Sequence, residues 1–465
     1  MIDIFVSNDL IIKNPSDLIW QWVHENLIIA NPDYYKKQRL GKWVGNTSKE
    51  IFLYRRKGDV LHIPFGCLQK LHQIFGVNCV YHVNFGAKND IKYQSNINTY
   101  DYQEEAVNAV LKKKNGVLVM PCGSGKTQTA LEIVSRLGGS VLWLTHTKDL
   151  LKQSMDRAKA VLSTDSTYGM ITEGKIDIGT GITFATVQTM SKINLADYKN
   201  FWNIIIVDEC QHCCGSPTRV TQFYKVVNSL SARYKIGLTA TPKRADGLEQ
   251  SMFALLGDII HTVTKGQVAN TTCPIKIKFV ETFYEPDYNC ILMGDGTIDY
   301  VKLVDDMINN NDRFSRILDE IENNANHSVL VLANRVAYIQ RLHEAFSGKS
   351  VCLSTLGQSK KAKAERKEVL QKLNDGELDA VFATYQLAKE GLDVPNLRYV
   401  VFATPEKNDI TVIQSAGRVG RKAEGKEFGT VIDFVDDFGM YFGWAQKRKG
   451  FYKRINAEVI DIDVH

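Results

Sequence analysis

The chain has 465 residues, with 57 Lys and Arg against 52 Asp and Glu for a formal charge of +5, and 44% of it is hydrophobic. At roughly 150 residues per domain, that length predicts about three domains, each with its own core, and the composition excludes a disordered or collagen-like chain. No apolar run approaches the roughly 18 residues of a membrane span, and the opening MIDIFVSNDLIIKN is acidic where a secretory signal is basic. A cytoplasmic protein with no membrane contact is expected.

The surplus charge sits early: residues 1–95 hold 12 Lys and Arg against 8 Asp and Glu. There the cations alternate with aromatics, first as Tyr34, Tyr35, Lys36, Lys37, Arg39, Lys42 and Trp43, then as Tyr54, Arg55, Arg56 and Lys57. Cations neutralise phosphates and flat rings stack on bases, so the cluster reads as a nucleic-acid surface or as an ordinary solvated basic face. IFLYRRKGDVLHI (51–63) predicts a hairpin around Lys57-Gly58-Asp59. Residues 1–95 are therefore expected to form a small basic α+β domain that binds DNA. The polar stretch from Ala87 to Tyr100 reads as a linker.

Beyond it, apolar β-rich runs alternate with amphipathic helical stretches. GVLVMP (116–121), SVLWLT (140–145), WNIIIVDE and YKIGLTATP make one α/β unit, assigned to residues 96–260. SVLVLAN (328–334), DAVFAT (379–384), YVVFATP and GTVIDFV make a second, assigned with a linker to 261–437. Such alternation marks parallel sheets covered on both faces. Segment 285–305, with its Gly294-Asp295-Gly296 turn, is either a strand-separating hairpin or a plain connection. The basic, aromatic tail 438–465 either packs back on the motor or touches DNA.

Three motifs carry chemistry. Met120-Pro121-Cys122-Gly123-Ser124-Gly125-Lys126-Thr127 lies where a strand meets a helix, as a phosphate-binding loop does, with Met120 where the strict pattern has Gly. Backbone N–H groups cradle phosphates, Lys126 reaches the β- and γ-phosphates, and Thr127 offers a hydroxyl to Mg²⁺. Asp208 and Glu209 end an apolar strand, Asp208 lying 82 residues past Lys126. Asp208 suits a magnesium ligand and Glu209 a general base for water. Gln414, Arg418 and Arg421 form the third group, with the arginines predicted to share one helix face and to stabilise phosphoryl-transfer charge. Nine cysteines form no disulfide framework, and Cys210-Gln211-His212-Cys213-Cys214 lacks the second ligand pair of a zinc site.

With these pieces in order, the chain resembles the superfamily 2 helicases from Tyr102 to Arg421. The matching motifs are Tyr102-Gln103, Thr145-His146-Thr147 with Leu150 and Gln153, Ala185-Thr186-Val187-Gln188, Asp208-Glu209-Cys210-Gln211, Leu238-Thr239-Ala240-Thr241-Pro242, Asn334-Arg335, Thr384 to Pro395, and Gln414 to Arg421. MPCGSGKT, DECQH, GLTATPKRADG and Asn31-Pro32-x-Tyr34 are similar to the phage branch-migration helicases of the UvsW type and to the XPB group. The resemblance implies two tandem RecA-like domains with ATP and Mg²⁺ bound between them. ATP would be held by Gln103, Gly123, Ser124, Gly125, Lys126, Thr127, Asp208, Gly391 and Asp393. Glu209, Gln414, Arg418 and Arg421 would serve hydrolysis, and Thr145, Thr186, Gln188, Arg335 and Thr384 would grip the strand. It further implies a monomer acting on forked or branched DNA in fork regression, Holliday junction migration and D-loop dissolution, beside phage recombination or replication proteins in a host cytoplasm. A duplex translocase that does not separate strands, an RNA helicase and an ATP-gated clamp stay open. The acidic box departs from the family, which has His or Asp where Gln211 stands, so either Gln211 or His212 couples hydrolysis to movement.

Overall fold

The computed structural model describes residues 2–87, 89–121, 123–244, 246–268, 272–355, 360–389, 394–455 and 457–463. The chain forms two compact units, residues 1–121 with 125–264, and residues 265–465 with the short stretch 122–124. Among the described residues no helix is long and apolar enough to cross a membrane.

Two large sheets dominate the first unit, beside two two-stranded ones. The N-terminal one has five strands in the order Arg55–Lys57, Val60–Pro64, Asp9–Lys13, Ile2–Val6, Cys79–Val83. The expected hairpin is present, with Arg55 opposite His62 and Lys57 opposite Val60 around Gly58 at φ 59°. One face of this sheet buries Ile4, Leu10, Ile12, Leu61 and Ile63 under Trp22, Val23 and Leu71, and the same cluster takes in Leu248 and Ala254 from the motor. Gly66 shows how close that joint is, since a Cβ there would come within 2.4–2.6 Å of the backbone of residues 253–257. The polar stretch 87–100 is strapped down rather than loose. Gln94–Ser95 pairs with Leu162–Ser163, and the buried Tyr93 donates its hydroxyl to the Gly139 carbonyl at 3.0 Å. A polar composition hid this, because the strap is held by its backbone, the Tyr93 ring and the amides of Asn89 and Asn96 rather than by an apolar run.

The motor sheet of this unit has eight strands: Lys175–Asp177, Gly169–Thr172, Ile182–Thr186, Val141–Thr145, Ile204–Asp208, Tyr234–Thr239, Gly116–Val119 and Ile259–Thr262. All pair in parallel except the antiparallel edge strand Lys175–Asp177. The central runs VLWLT, IIIVD and ITFAT are buried along their whole length, as a sheet covered on both faces requires.

The second unit is a seven-stranded, wholly parallel sheet in the order Ser350–Cys352, Ala380–Thr384, Val329–Ala333, Tyr399–Phe402, Gly429–Val435, Ile275–Glu281, Glu458–Asp463. Both motor units are RecA-like. The residues after 438 are no appendage: the helix Gly439–Arg454 buries Tyr441, Ala445 and Tyr452, and Glu458–Asp463 is the sheet's last strand. Arg448, with 1% of its side chain exposed, pairs with Asp433 at 2.7 Å, and Tyr452 donates to the same carboxylate. Counting cations in the tail suggested a surface, but this one is spent inside. Segment 285–305 contains a small turn, in which Met293 and Thr297 face each other beside a Leu292–Ile298 bridge. Ile291, Leu303 and Met307 around it pack on Tyr284 and Tyr441.

Candidate active site and nucleic-acid interface

The strand Gly116–Val119 runs into the predicted loop, and the helix Lys126–Leu137 starts at its end. Gly123 and Gly125 take φ of 80° and 77°, a left-handed conformation that only glycine adopts cheaply. Room matters as well as angle: a Cβ on Gly125 would lie 2.5 Å from Gln103 Nε2. The loop therefore delivers a helix N-terminus, with its exposed N–H groups, to one place. Lys126 Nζ lies 3.5 Å from the Met120 carbonyl and 3.4 Å from that of Pro121, contacts long enough for phosphate oxygens to replace. Gln103 is 1% exposed, its amide oxygen accepting the Tyr100 N–H at 3.1 Å at the start of the helix Asp101–Lys113. The rings of Tyr100 and Tyr102 stack beside it, 5.6 Å apart and 7° from parallel.

Five consecutive buried residues, Ile204–Asp208, carry the acid pair to the sheet's carboxyl end. Burial pushes the Asp208 carboxyl up to about 7, the Glu209 charge adds to the rise, and Lys126 opposes it. Two adjacent carboxylates, one of them buried, with the Thr127 hydroxyl to supply a further oxygen, form the hard-oxygen, negatively charged set that suits Mg²⁺. The residues fit that ion.

Glu209 itself stands at φ 51°, left-handed without being glycine, a conformation costing about 1–3 kcal/mol. A hydrogen-bonded chain starts at its side chain. Gln211 Nε2 donates to Glu209 Oε2 at 2.7 Å, the Thr239 hydroxyl donates to Gln211 Oε1 at 2.7 Å, and the Thr241 N–H donates to Thr239 Oγ1 at 3.0 Å. Gln211 is fully buried. Arg244 donates to the Gln211 carbonyl and is itself held by Asp246 through bonds of 2.8 and 2.7 Å. His212 goes elsewhere: its ring lies 4.6 Å from that of His146, whose carbonyl accepts the Gln188 amide at 2.8 Å. The two rivals for the coupling position thus have different neighbours, and Gln211 is bonded to both the Glu209 carboxylate and Thr239.

Other predicted residues are placed less simply. Thr145 is fully buried and donates to the Thr147 carbonyl at 2.9 Å, while Thr186, 6% exposed, donates to Thr189 Oγ1 at 3.1 Å. Both hydroxyls bond within their own loops, and the neighbouring Gln188 is exposed. In the N-terminal domain Lys36, Arg39, Arg55, Arg56 and Lys57 are exposed, while Lys37 donates to Thr47 at 2.8 Å and Arg56 lies over the Trp20 ring at 5.0 Å. In the second unit Arg335 is exposed, and Thr384 ends a strand and accepts the Leu387 N–H at 3.4 Å. Gln414 lies on the helix Asp409–Ala416, but Arg418 follows in the 3-10 turn Gly417–Gly420 and Arg421 beyond it at φ −78°, ψ 138°. The arginines therefore do not share one α-helical face, since Gly417 and Gly420 end the helix first. Gly391 and Asp393 lie outside the described residues.

Sequence reasoning did not single out Arg244 or the His146–His212 contact. Arg244 stood inside the quoted GLTATPKRADG, yet nothing in a linear pattern says that it holds the Gln211 backbone.

A phosphate loop, an acid pair and a Thr motif bonded back to that pair define a P-loop ATPase. Residues 96–244 match the family of the Type III restriction enzyme res subunit, and residues 312–423 match the helicase conserved C-terminal domain. The DNA 3'-5' translocase XPB2 of Sulfurisphaera tokodaii is 28% identical over 70% of this chain and 79% of its own length. ATP-dependent RNA helicase L396 of Acanthamoeba polyphaga mimivirus, a name itself given by inference, is 26% identical over 73% of this chain and 64% of that protein. Among solved structures, the DNA-bound Type ISP restriction-modification enzyme LlaBIII superposes with a TM-score of 0.54 at 17% identity, over 78% of this chain and 33% of that one. T4 UvsW aligns over 99% of this chain and 98% of that one at 18% identity, with a TM-score of 0.39 too low to carry weight. This chain thus spans less than two thirds of the mimivirus protein and a third of the restriction enzyme. The chain belongs to the superfamily 2 helicases.

Proposed function

We propose that this helicase unwinds or branch-migrates forked and junction DNA, the work implied by its likeness to the UvsW type. The observation that carries the reading is the N-terminal domain packed on the motor, which presents Lys36, Arg39, Arg55, Arg56 and Lys57 to solvent while its apolar face is buried. Phosphate contacts of this kind add affinity that falls steeply with salt.

In the proposed cycle the loop N–H groups and Lys126 hold the β- and γ-phosphates, and Gln103 meets the base. Glu209 takes a proton from the attacking water, and Arg418 and Arg421 with Gln414 stabilise charge on the transferred group from the second unit. Magnesium, held by Thr127 and Asp208, would neutralise phosphate charge when bound. Loss of the γ-phosphate shifts Glu209, and Gln211 passes that shift to Thr239. Gln188, Arg335 and Thr384 grip the strand while the units alternate.

The test compares ATP turnover and strand separation on single-stranded DNA, linear duplex, a fork, a four-way junction and an RNA fork, with Lys126→Ala as the inactive control. Deleting residues 1–95 would strip Leu248 and Ala254 of their packing. The triple change Arg55, Arg56 and Lys57→Gln is the cleaner variant. Preference for fork and junction, weakened by the triple change, is expected. Equal stimulation by plain duplex without strand separation would favour a translocase, the activity in the XPB2 name; preference for the RNA fork would favour an RNA helicase.

A further inference from the structure

Residues 31–49 form an excursion between the two strands of a separate antiparallel ladder, Ile28–Ala30 and Glu50–Phe52. Asn31 closes the excursion at its base. Its Oδ1 accepts the Asp33 N–H at 3.1 Å, its Nδ2 donates to the Ser48 carbonyl at 2.7 Å, and its N–H donates to the Lys49 carbonyl at 3.0 Å. The helix Pro32–Arg39, with proline at its first position, carries the chain outward, and Lys37 braces the return by its bond to Thr47. Gly41 and Gly45, at φ 62° and 51°, turn the chain at the far end.

Between those glycines stands Trp43, 86% exposed. The other tryptophans are buried or half-buried, and Trp43 forgoes the large gain that burying an indole brings. Its ring lies over Gly45, where a Cβ would come within 2.7 Å of it. The excursion carries Lys36, Lys37, Arg39, Lys42 and Lys49 against one acid, Asp33, which is paired with Arg219 at 3.2 Å. A flat exposed ring amid cations suits a base with its phosphates better than a protein partner, whose interface would deplete lysine.

We propose that Trp43 is a stacking pin that receives an unpaired base at the branch point while Lys36, Arg39 and Lys42 hold the adjoining phosphates. The proposal rests on the branched-DNA reading above. With Trp43 stacked, a base that has left the duplex gains a partner and re-pairing slows.

The test uses the full chain and a fork carrying 2-aminopurine at the branch position. Wild-type protein should change its fluorescence on binding. Trp43→Ala should abolish that change, weaken fork binding about 5- to 150-fold, the range that stacking one base supports, and slow strand separation. Trp43→Phe should keep most of both, and an unaltered melting temperature, expected for so exposed a ring, shows that the fold is intact. Fork preference in the wild type with every DNA readout unchanged in Trp43→Ala would overturn the pin alone, and point to a protein partner for this ring. No fork preference in the wild type would overturn the parent reading and the pin with it.

Discussion

Replacing Gln211 by Ala removes two side-chain bonds, a part-buried one to the Glu209 carboxylate and a buried one from the Thr239 hydroxyl, each 2.7 Å long. A neutral bond contributes about 1 kcal/mol net and one to a charged group about 1.5–3, so stability should fall by about 2–4 kcal/mol. Catalysis should suffer separately. Glu209 holds a strained backbone angle, and the Gln211 amide orients its carboxylate. A positioned general base supplies about 10²–10⁴ in rate, so a loosened one should cost about 10- to 100-fold in ATP turnover. Gln211→His adds a sharper reading, because imidazole titrates near 6.5 while an amide does not titrate. The ratio of strand separation in Gln211→His to that in the wild type should change across about pH 5.5 to 7.5, the wild type at each pH accounting for the titration of Asp208. Steady-state ATP turnover and fork unwinding, measured side by side over that range, give both answers. Wild-type turnover and unwinding in Gln211→Ala would refute the relay.

Glu209→Gln should leave nucleotide binding measurable while abolishing turnover and strand separation; retained biological activity would instead support an ATP-gated clamp. The Asp208 carboxyl, pushed up to about 7 by burial from its ordinary 3.8, keeps its proton in the folded state where the unfolded chain has lost it, so folding stability should fall as pH rises from about 4 to 7. Urea midpoints in chelator without nucleotide should show that decline, and Asp208→Asn should flatten it while removing ATPase. Lys235 runs the other way: burial pulls its ammonium down to about 7 from 10.5, the unfolded chain binds more protons between those values, and stability should rise with pH there, less so in Lys235→Met. In the second unit, Asp436→Ala leaves the wholly buried Arg313 without its 2.6 Å partner and should cost about 3–5 kcal/mol in unfolding free energy.

The nucleotide site was legible in the sequence because its chemistry is local. A glycine pair, a lysine and a hydroxyl must be contiguous to wrap a phosphate, and Asp208 and Glu209 must follow one buried strand. The buried strands were legible too, since short Val, Ile and Leu runs flanked by helical periodicity suit a sheet covered on both faces. The edge strand Glu458–Asp463 was missed because its sequence interleaves acids with apolar residues and so reads as surface.

By itself the sequence determined the order of elements, the two α/β units and the residues that can meet a phosphate, all consequences of short-range pattern. Tertiary structure alone decided what each remaining polar group is for. It put Arg448 in the core against Asp433, turned Thr145 inward, broke the helix between Gln414 and Arg421, and gave Gln211 rather than His212 the bond to Thr239. The reason is physical: a buried polar group must find a partner, and that partner lies wherever packing places it, not at a fixed distance along the chain.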